Sequence, residues 1–152
     1  MTPPLSRRGF LQVSAGSMAL PLLAEPLLAD EPKKSPNDRI NLGFIGIGMM
    51  GRGHLGSFLG MNDVQVVAIC DIHKERREDA MARVAKKYGD AKACVEHTDF
   101  RKLLEQKNID AVVIATPDHW HMIPCLLAAR AKKDIYCEKP LTHSIAEGRR
   151  IV

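Results

Sequence analysis

Gly46-Ile47-Gly48-Met49-Met50-Gly51 is the first segment of this chain whose spacing carries chemistry. It fits G-x-G-x-x-G, a weak pattern when met alone. Here it leaves a short apolar run, Ile40 to Ile45, and enters a predicted helix, the setting that gives the pattern a mechanism. Gly46 permits the tight turn, Gly48 has no Cβ to hold a pyrophosphate away, and Gly51 lets the helix pack closely on the strand. The amides of Met49 and Met50 then face the phosphates from the positive end of the helix, with Ile47 completing the turn. Asp71 stands 20 positions past Gly51, at the end of a second apolar run, Val64 to Cys70. A carboxylate there accepts hydrogen bonds from the adenosine ribose hydroxyls and repels a 2′-phosphate. Turn and acid together predict NAD as the cofactor. Lys74, Arg76 and Arg77 follow closely enough to keep NADP open, although a solvated helix face is the simpler reading of them.

Two later segments are also built for a site. Ala115-Thr116-Pro117-Asp118-His119-Trp120-His121 leaves one predicted strand and opens a helix, and Cys137-Glu138-Lys139-Pro140-Leu141 leaves the next. Lys139 therefore falls at the carboxyl end of a sheet, where open α/β folds place their ligand crevice. Pro140 would allow a cis peptide bond that aims Lys139 inward. Pro117 suits a first helical turn. His119 and His121 are two apart, so on a helix they face different ways, and no third ligand is near; a metal site is not expected. Trp120 is of a type that packs more often than it forms a substrate platform, and the sequence leaves it unassigned. Cys70, Cys94, Cys125 and Cys137 form no C-x-x-C pair or zinc spacing, and Cys70 and Cys137, ending apolar runs, read as small core residues.

The elements that must hold these residues alternate in type. After Ile40–Ile45 and Val64–Cys70, Asp110 to Ala115 and Asp134 to Cys137 are further buried-strand patterns, and Ala93 to Val95 is a candidate short strand. Between them, His73 to Tyr88 places Ala80, Met81, Val84, Ala85 and Tyr88 on one stripe, with Gly89 as its left-handed stop. Phe100 to Glu105 is a short helix behind the caps Thr98 or Asp99, and His119 to Lys132 carries Ile123, Leu126, Leu127 and Ala131 at helical spacing. Ser144-Ile145-Ala146-Glu147 is a capping box opening a helix that is still running at Val152. Strands separated by helices imply parallel pairing with right-handed crossovers. The expected fold class is α/β, a doubly wound parallel Rossmann sheet over residues 39–152, incomplete at its C-terminal end.

With these motifs in place, residues 39–152 resemble the glucose-fructose oxidoreductase, inositol dehydrogenase and rhizopine-catabolism family, Gfo/Idh/MocA. The Glu138-Lys139-Pro140 step is the most specific element, and the Thr116-Pro117…His121 step is also characteristic. The resemblance implies that Thr116, Pro117, His121, Glu138 and Lys139 join the glycine turn and Asp71 around the cofactor. It also implies that Lys139 is catalytic, binding substrate and nicotinamide and polarising the reacting hydroxyl; an ammonium stabilises negative charge developing on that oxygen. Family members continue into a second α/β domain that supplies the substrate pocket, an acid–base histidine and much of the association surface, so a homo-oligomer is open for the full-length protein. Val152 falls inside a predicted helix, and the sequence reads as a fragment lacking that domain. Three functions follow: an oxidoreductase moving a hydride between NAD and a sugar, cyclitol or polyol; an NAD-dependent glycosidase of the same fold, against which Lys139 counts; or a non-catalytic nucleotide-binding module.

Residues 1–30 read as an address. Ser6-Arg7-Arg8-Gly9-Phe10-Leu11-Gln12 resembles the twin-arginine pattern S-R-R-x-F-L-K, departing only at Gln12, and an uncharged stretch from Val13 to Ala24 follows. The expectation is export to the periplasm by the twin-arginine machinery, a route that carries folded proteins with their cofactors. A cut after Ala24 or Ala29 would put Leu22 or Leu27 where a small residue is preferred, so no cleavage site stands out. Residues 31–38, with Pro32 and Pro36, read as a linker. The net charge of +4 is spread along the chain without interleaved aromatics, which argues against a nucleic-acid partner. No apolar run reaches the roughly 18 residues of a membrane span.

Overall fold

The structure, a computed structural model, describes residues 38–152; the leader and nearly all of the linker lie outside the described residues. Five strands form one parallel sheet: β1 (Ile40–Ile45), β2 (Val64–Cys70), β3 (Val95–His97), β4 (Ala111–Ile114) and β5 (Asp134–Cys137), in the order β3-β2-β1-β4-β5. Helices α1 (Met49–Leu59), α2 (Lys74–Tyr88), α3 (Phe100–Leu104), α4 (Met122–Arg130) and α5 (Ile145–Ile151) link or follow them.

The sheet is covered on both faces. On one, Leu55 and Leu59 of α1 and Ala80 and Val84 of α2 pack against Leu42, Phe44, Val66 and Ile69. On the other, Leu103 and Leu104 of α3 and Cys125 and Ala128 of α4 meet Ile45, Val67, Cys70, Val112 and Ile114. Strands buried on both faces need side chains that are apolar throughout, which is why these runs do not alternate with polar residues. β2 departs from strict alternation at one step. Its register with β1 jumps between Leu42 and Gly43, so that Val67 and Ala68 both serve the second face, and the Val66 amide donates to the Tyr88 hydroxyl at 2.9 Å.

Several local expectations find their mechanism here. Gly89 takes φ +71 and its amide closes α2 on Ala85 O at 2.8 Å. Of the two cap candidates, Asp99 caps α3, accepting from the Arg101 amide at 2.9 Å. The capping box of Ser144 and Glu147 is formed at the start of α5.

Other expectations need correction. β3 is Val95–His97, two residues later than the predicted 93–95. The single helix expected over 119–132 is a 3-10 turn, Asp118–Trp120, followed by α4 from Met122 to Arg130. Pro124 explains the delay: it has no N–H to donate to Trp120, so it is accommodated in the first turn of a helix that starts later. The buried positions shift accordingly to Pro124, Cys125 and Ala128, and Ile123 is exposed. Cys137 is only partly buried, unlike Cys70, because β5 is not flanked by a further strand among the described residues.

Candidate functional site

Strand order reverses between β1 and β4, because the chain winds outward through β2 and β3 and then returns to the other side of β1. The loops leaving β1 and β4 must therefore separate, and a crevice opens at their carboxyl ends. A cleft of about 720 Å³ occupies that place. It runs from Asp71 and Arg76, past Gly46, Gly48 and Met49, to Thr116 and Lys139.

The glycine turn works by close approach. Gly46 has φ +92, and a Cβ on Gly51 would lie 2.1 Å from Gly46 O, so α1 can sit on the turn only with glycine at 51. A Cβ on Gly48 would meet only Arg76 Nη1, at 3.9 Å, which leaves open space on the cleft side. Met49 and Met50 begin α1, where first-turn amides have no intrahelical acceptor. Ile47 and Gly51 stand behind the cleft rather than in it. The Ile47 side chain is in the core, and its amide donates to Asp71 Oδ2 at 2.7 Å.

Asp71 is thus a strut as well as a cleft residue: 7 % exposed, it also accepts the His73 amide on Oδ1 at 2.8 Å. The three cations after it separate sharply. Arg77 is committed to the carbonyls of Asp71 and Ile72 and to Glu96, and Lys74 pairs with Glu78 along the helix. Of the three, Arg76 alone reaches the Asp71 carboxylate, with Nη1 at 3.9 Å from Oδ2, and lines the cleft.

At the β4 end, Thr116 Oγ1 is buried without a hydrogen-bond partner beside the cleft, and Pro117 precedes the 3-10 turn. His121 is 1 % exposed, with Nδ1 2.6 Å from Pro140 O and Nε2 2.7 Å from Thr116 O. Its polar atoms are directed at the chain, so it joins the two loops that flank the cleft. Trp120, which the sequence left unassigned, ends the 3-10 turn and is half-exposed on the cleft wall.

At the β5 end, the Lys139–Pro140 bond is cis, and Lys139 lines the cleft with no ion pair among the described residues. Glu138 bonds His54 of α1, Oε1 to Nε2, at 2.5 Å, and this bond holds its carboxyl below the usual carboxylate range. The His54 ring meets Tyr136 edge-on at 5.3 Å. Sequence reasoning missed His54, although it stands three positions past Gly51 on the helix that the glycine turn opens. The thiols of Cys70 and Cys94 are pushed up to about 12, chiefly by burial, which makes them poor nucleophiles.

An open face at Gly48, free helix-end amides and an unpartnered threonine hydroxyl in one cleft fit a dinucleotide. Comparisons with known proteins agree. Residues 40–152 match the family model for the oxidoreductase family, NAD-binding Rossmann fold, GFO_IDH_MocA. Myo-inositol 2-dehydrogenase of Thermotoga maritima is 32% identical over 113 residues, 74% of this chain and 32% of that protein. A glycosyl hydrolase family 109 protein of Stenotrophomonas maltophilia is 36% identical over 138 residues, 88% of this chain and 29% of that protein. Among solved structures, myo-inositol dehydrogenase of Lactobacillus casei in complex with NAD(H) and myo-inositol superimposes with a TM-score of 0.66 at 30% identity, covering 74% of this chain and 32% of that one. The chain spans between 26% and 36% of the length of these and similar curated relatives.

Proposed function

The chain belongs to the Gfo/Idh/MocA oxidoreductase family, with an NAD-binding Rossmann fold, and from that premise we propose that the full-length protein oxidises or reduces a carbinol carbon of a sugar, cyclitol or related polyol. The observation that carries this reading is Lys139, whose side chain lines the cleft without an ion-pair partner among the described residues. Its ammonium is available to the substrate hydroxyl and stabilises the negative charge that grows on oxygen as its proton leaves. Gly48, Met49 and Met50 hold the pyrophosphate, Asp71 the adenosine ribose, and Thr116 and Pro117 floor the cleft between them and Lys139. NAD, when bound, supplies the carbon that accepts or returns the hydride. The proton is taken by an acid–base histidine of a second domain, which the family resemblance implies for the full-length protein.

Twin-arginine export of residues 1–30 completes the proposal. A folded enzyme leaves the cytoplasm with its dinucleotide, and since free NAD is not resupplied outside, the cofactor is retained and recycled within the site. The family 109 relatives favour a second reading, a glycosidase that oxidises a sugar transiently, eliminates the glycosidic bond and reduces the product again. Lys139 supports the net oxidoreductase. In the full-length protein, Lys139→Ala should leave NAD binding nearly unchanged and lower turnover by about 10²–10³. A variant with normal turnover removes Lys139 from the site, and glycoside cleavage without net NADH selects the second reading.

A further inference from the structure

Lys139 shares the cleft with a carboxylate of opposite charge that does not pair with it. Glu138 precedes Lys139 in the chain, and both residues line the cleft. Charges this close attract, and the lysine charge adds to the His54 bond in holding the Glu138 carboxyl low. Yet no ion pair joins the two among the described residues. The carboxylate is occupied elsewhere. Its Oε1 lies 2.5 Å from His54 Nε2, and its Oε2 accepts the Lys139 backbone amide at 3.3 Å. His54 is itself fixed. It stands in the middle of α1, its ring meets Tyr136 edge-on at 5.3 Å, and Phe58 meets the same tyrosine edge-on at 5.9 Å. The His54 and Glu138 side chains are 19 % and 13 % exposed, so little water competes for their bond. Asp118, the carboxylate on the neighbouring loop, accepts from the amide of His119.

We propose that His54 is a positioning residue that keeps Lys139 free for substrate by holding Glu138, the carboxylate that would otherwise pair with the ammonium. A lysine paired with its neighbour loses a donor and much of its positive field, the two properties a developing oxyanion needs. Removing the imidazole strands a partly buried carboxylate, and such a charge recruits whatever cation can reach it. Here that cation is Lys139, whose charge already acts on it. The arrangement also joins the two halves of the cleft. The helix opened by the glycine turn carries, five positions past Met49, the group that holds the residue before Lys139. The effect on turnover rests on the oxidoreductase reading of the cleft; the shielding of the amine does not.

The test reads the amine directly. Full-length protein is treated with trace succinimidyl acetate at neutral pH, and acetylation of Lys139 is followed by peptide mass spectrometry against the other lysines. Only the unprotonated amine reacts, and an opposite charge within about 4–6 Å keeps a lysine protonated over about one further pH unit. His54→Ala should therefore slow acetylation of Lys139 about 10-fold. His54→Gln, which keeps a donor near the Nε2 position, should react like wild type. His54→Ala/Glu138→Gln, which has no carboxylate to pair, should react at least as fast. In kinetics, kcat of His54→Ala should fall about 10-fold or more, toward the loss expected of Lys139→Ala, with NAD affinity kept within a few-fold. The double variant should regain part of that loss, which a merely structural bond does not predict for the amine. Unchanged or faster acetylation of Lys139 in folded His54→Ala overturns the inference. Should His54→Ala fail to fold, His54→Leu, which fills the space beside Tyr136 without a donor, makes the same comparison. If Lys139→Ala keeps normal turnover, the oxidoreductase role of Lys139 falls while the acetylation rates still decide whether His54 shields it.

Discussion

At the residue scale, Asp71 carries two duties that mutation can separate. The proposed function gives it the ribose hydroxyls, and its oxygens already hold the Ile47 and His73 amides. Asp71→Ala should weaken NAD by about 1–2 kcal/mol, the scale of hydrogen bonds lost to a charged acceptor, and narrow any preference against NADP. The remaining NADP affinity should then depend on Arg76, the cation that reaches the Asp71 carboxylate and lines the cleft. Titration of both cofactors against wild type, Asp71→Ala and Asp71→Ala/Arg76→Ala measures this, and a wild type that prefers NADP overturns the role given to Asp71. Cys70 and Cys94 offer a simpler check. With thiols pushed up to about 12 by burial, both should resist alkylation at neutral pH until the protein is unfolded.

At the scale of elements, α1 is held at its start and at its middle by features that substitution can test one at a time. Gly51→Ala drives a Cβ to 2.1 Å from Gly46 O, a backbone atom that cannot swing away, and should destabilise by about 1–3 kcal/mol or more. Gly53→Ala lies one half-turn along the same helix with nothing within 4 Å, and should stabilise by up to about 1 kcal/mol through helix propensity. Thermal melts of the pair read both signs, and equal effects would refute the close approach. The second anchor, His54 in the middle of α1, ties the helix to Glu138, the residue that follows β5. Because the folded carboxyl is held low, its stabilising contribution is complete above the ordinary carboxylate range and is lost as pH falls through the depressed value. Denaturant midpoints collected from neutral to acidic pH should therefore fall more steeply in wild type than in Glu138→Gln; parallel curves would show that the bond contributes nothing.

At the scale of the whole molecule, the cleft described here is one wall of the proposed site. Residues 38–152 place a nucleotide crevice and Lys139 on the same edge of the sheet, and the family's second domain is expected to close over it. The 152-residue chain alone should bind NAD and show no turnover, while the full-length protein turns over; robust dehydrogenase activity from the short chain would refute the two-domain account. Export is tested on the same full-length protein. Replacing Arg7 and Arg8 by Lys should block its periplasmic accumulation without preventing cytoplasmic folding, and unchanged accumulation would sink the twin-arginine assignment.

What the sequence determined by itself was local. The glycine turn, the acid after β2, the capping box of α5 and the stop at Gly89 each depend on the conformational limits of a few adjacent residues, so their type and spacing were enough to place them. The central strands β1, β2 and β4 were equally legible, because a sheet covered on both faces demands continuous apolar runs, whereas the outer strands β3 and β5 are largely exposed. Tertiary structure decided what depends on two distant segments meeting. His54 and Glu138 are 84 positions apart, and nothing near either one announces the other. The two carbonyls that grip His121 belong to different loops and become neighbours only when β4 and β5 pair. Even the start of α4 turned on Pro124, whose missing donor matters only once the preceding turn has a place in the fold. Backbone chemistry is written in neighbours along the chain, whereas the contacts that aim a side chain are written in the packing of elements, which this sheet order alone brings together.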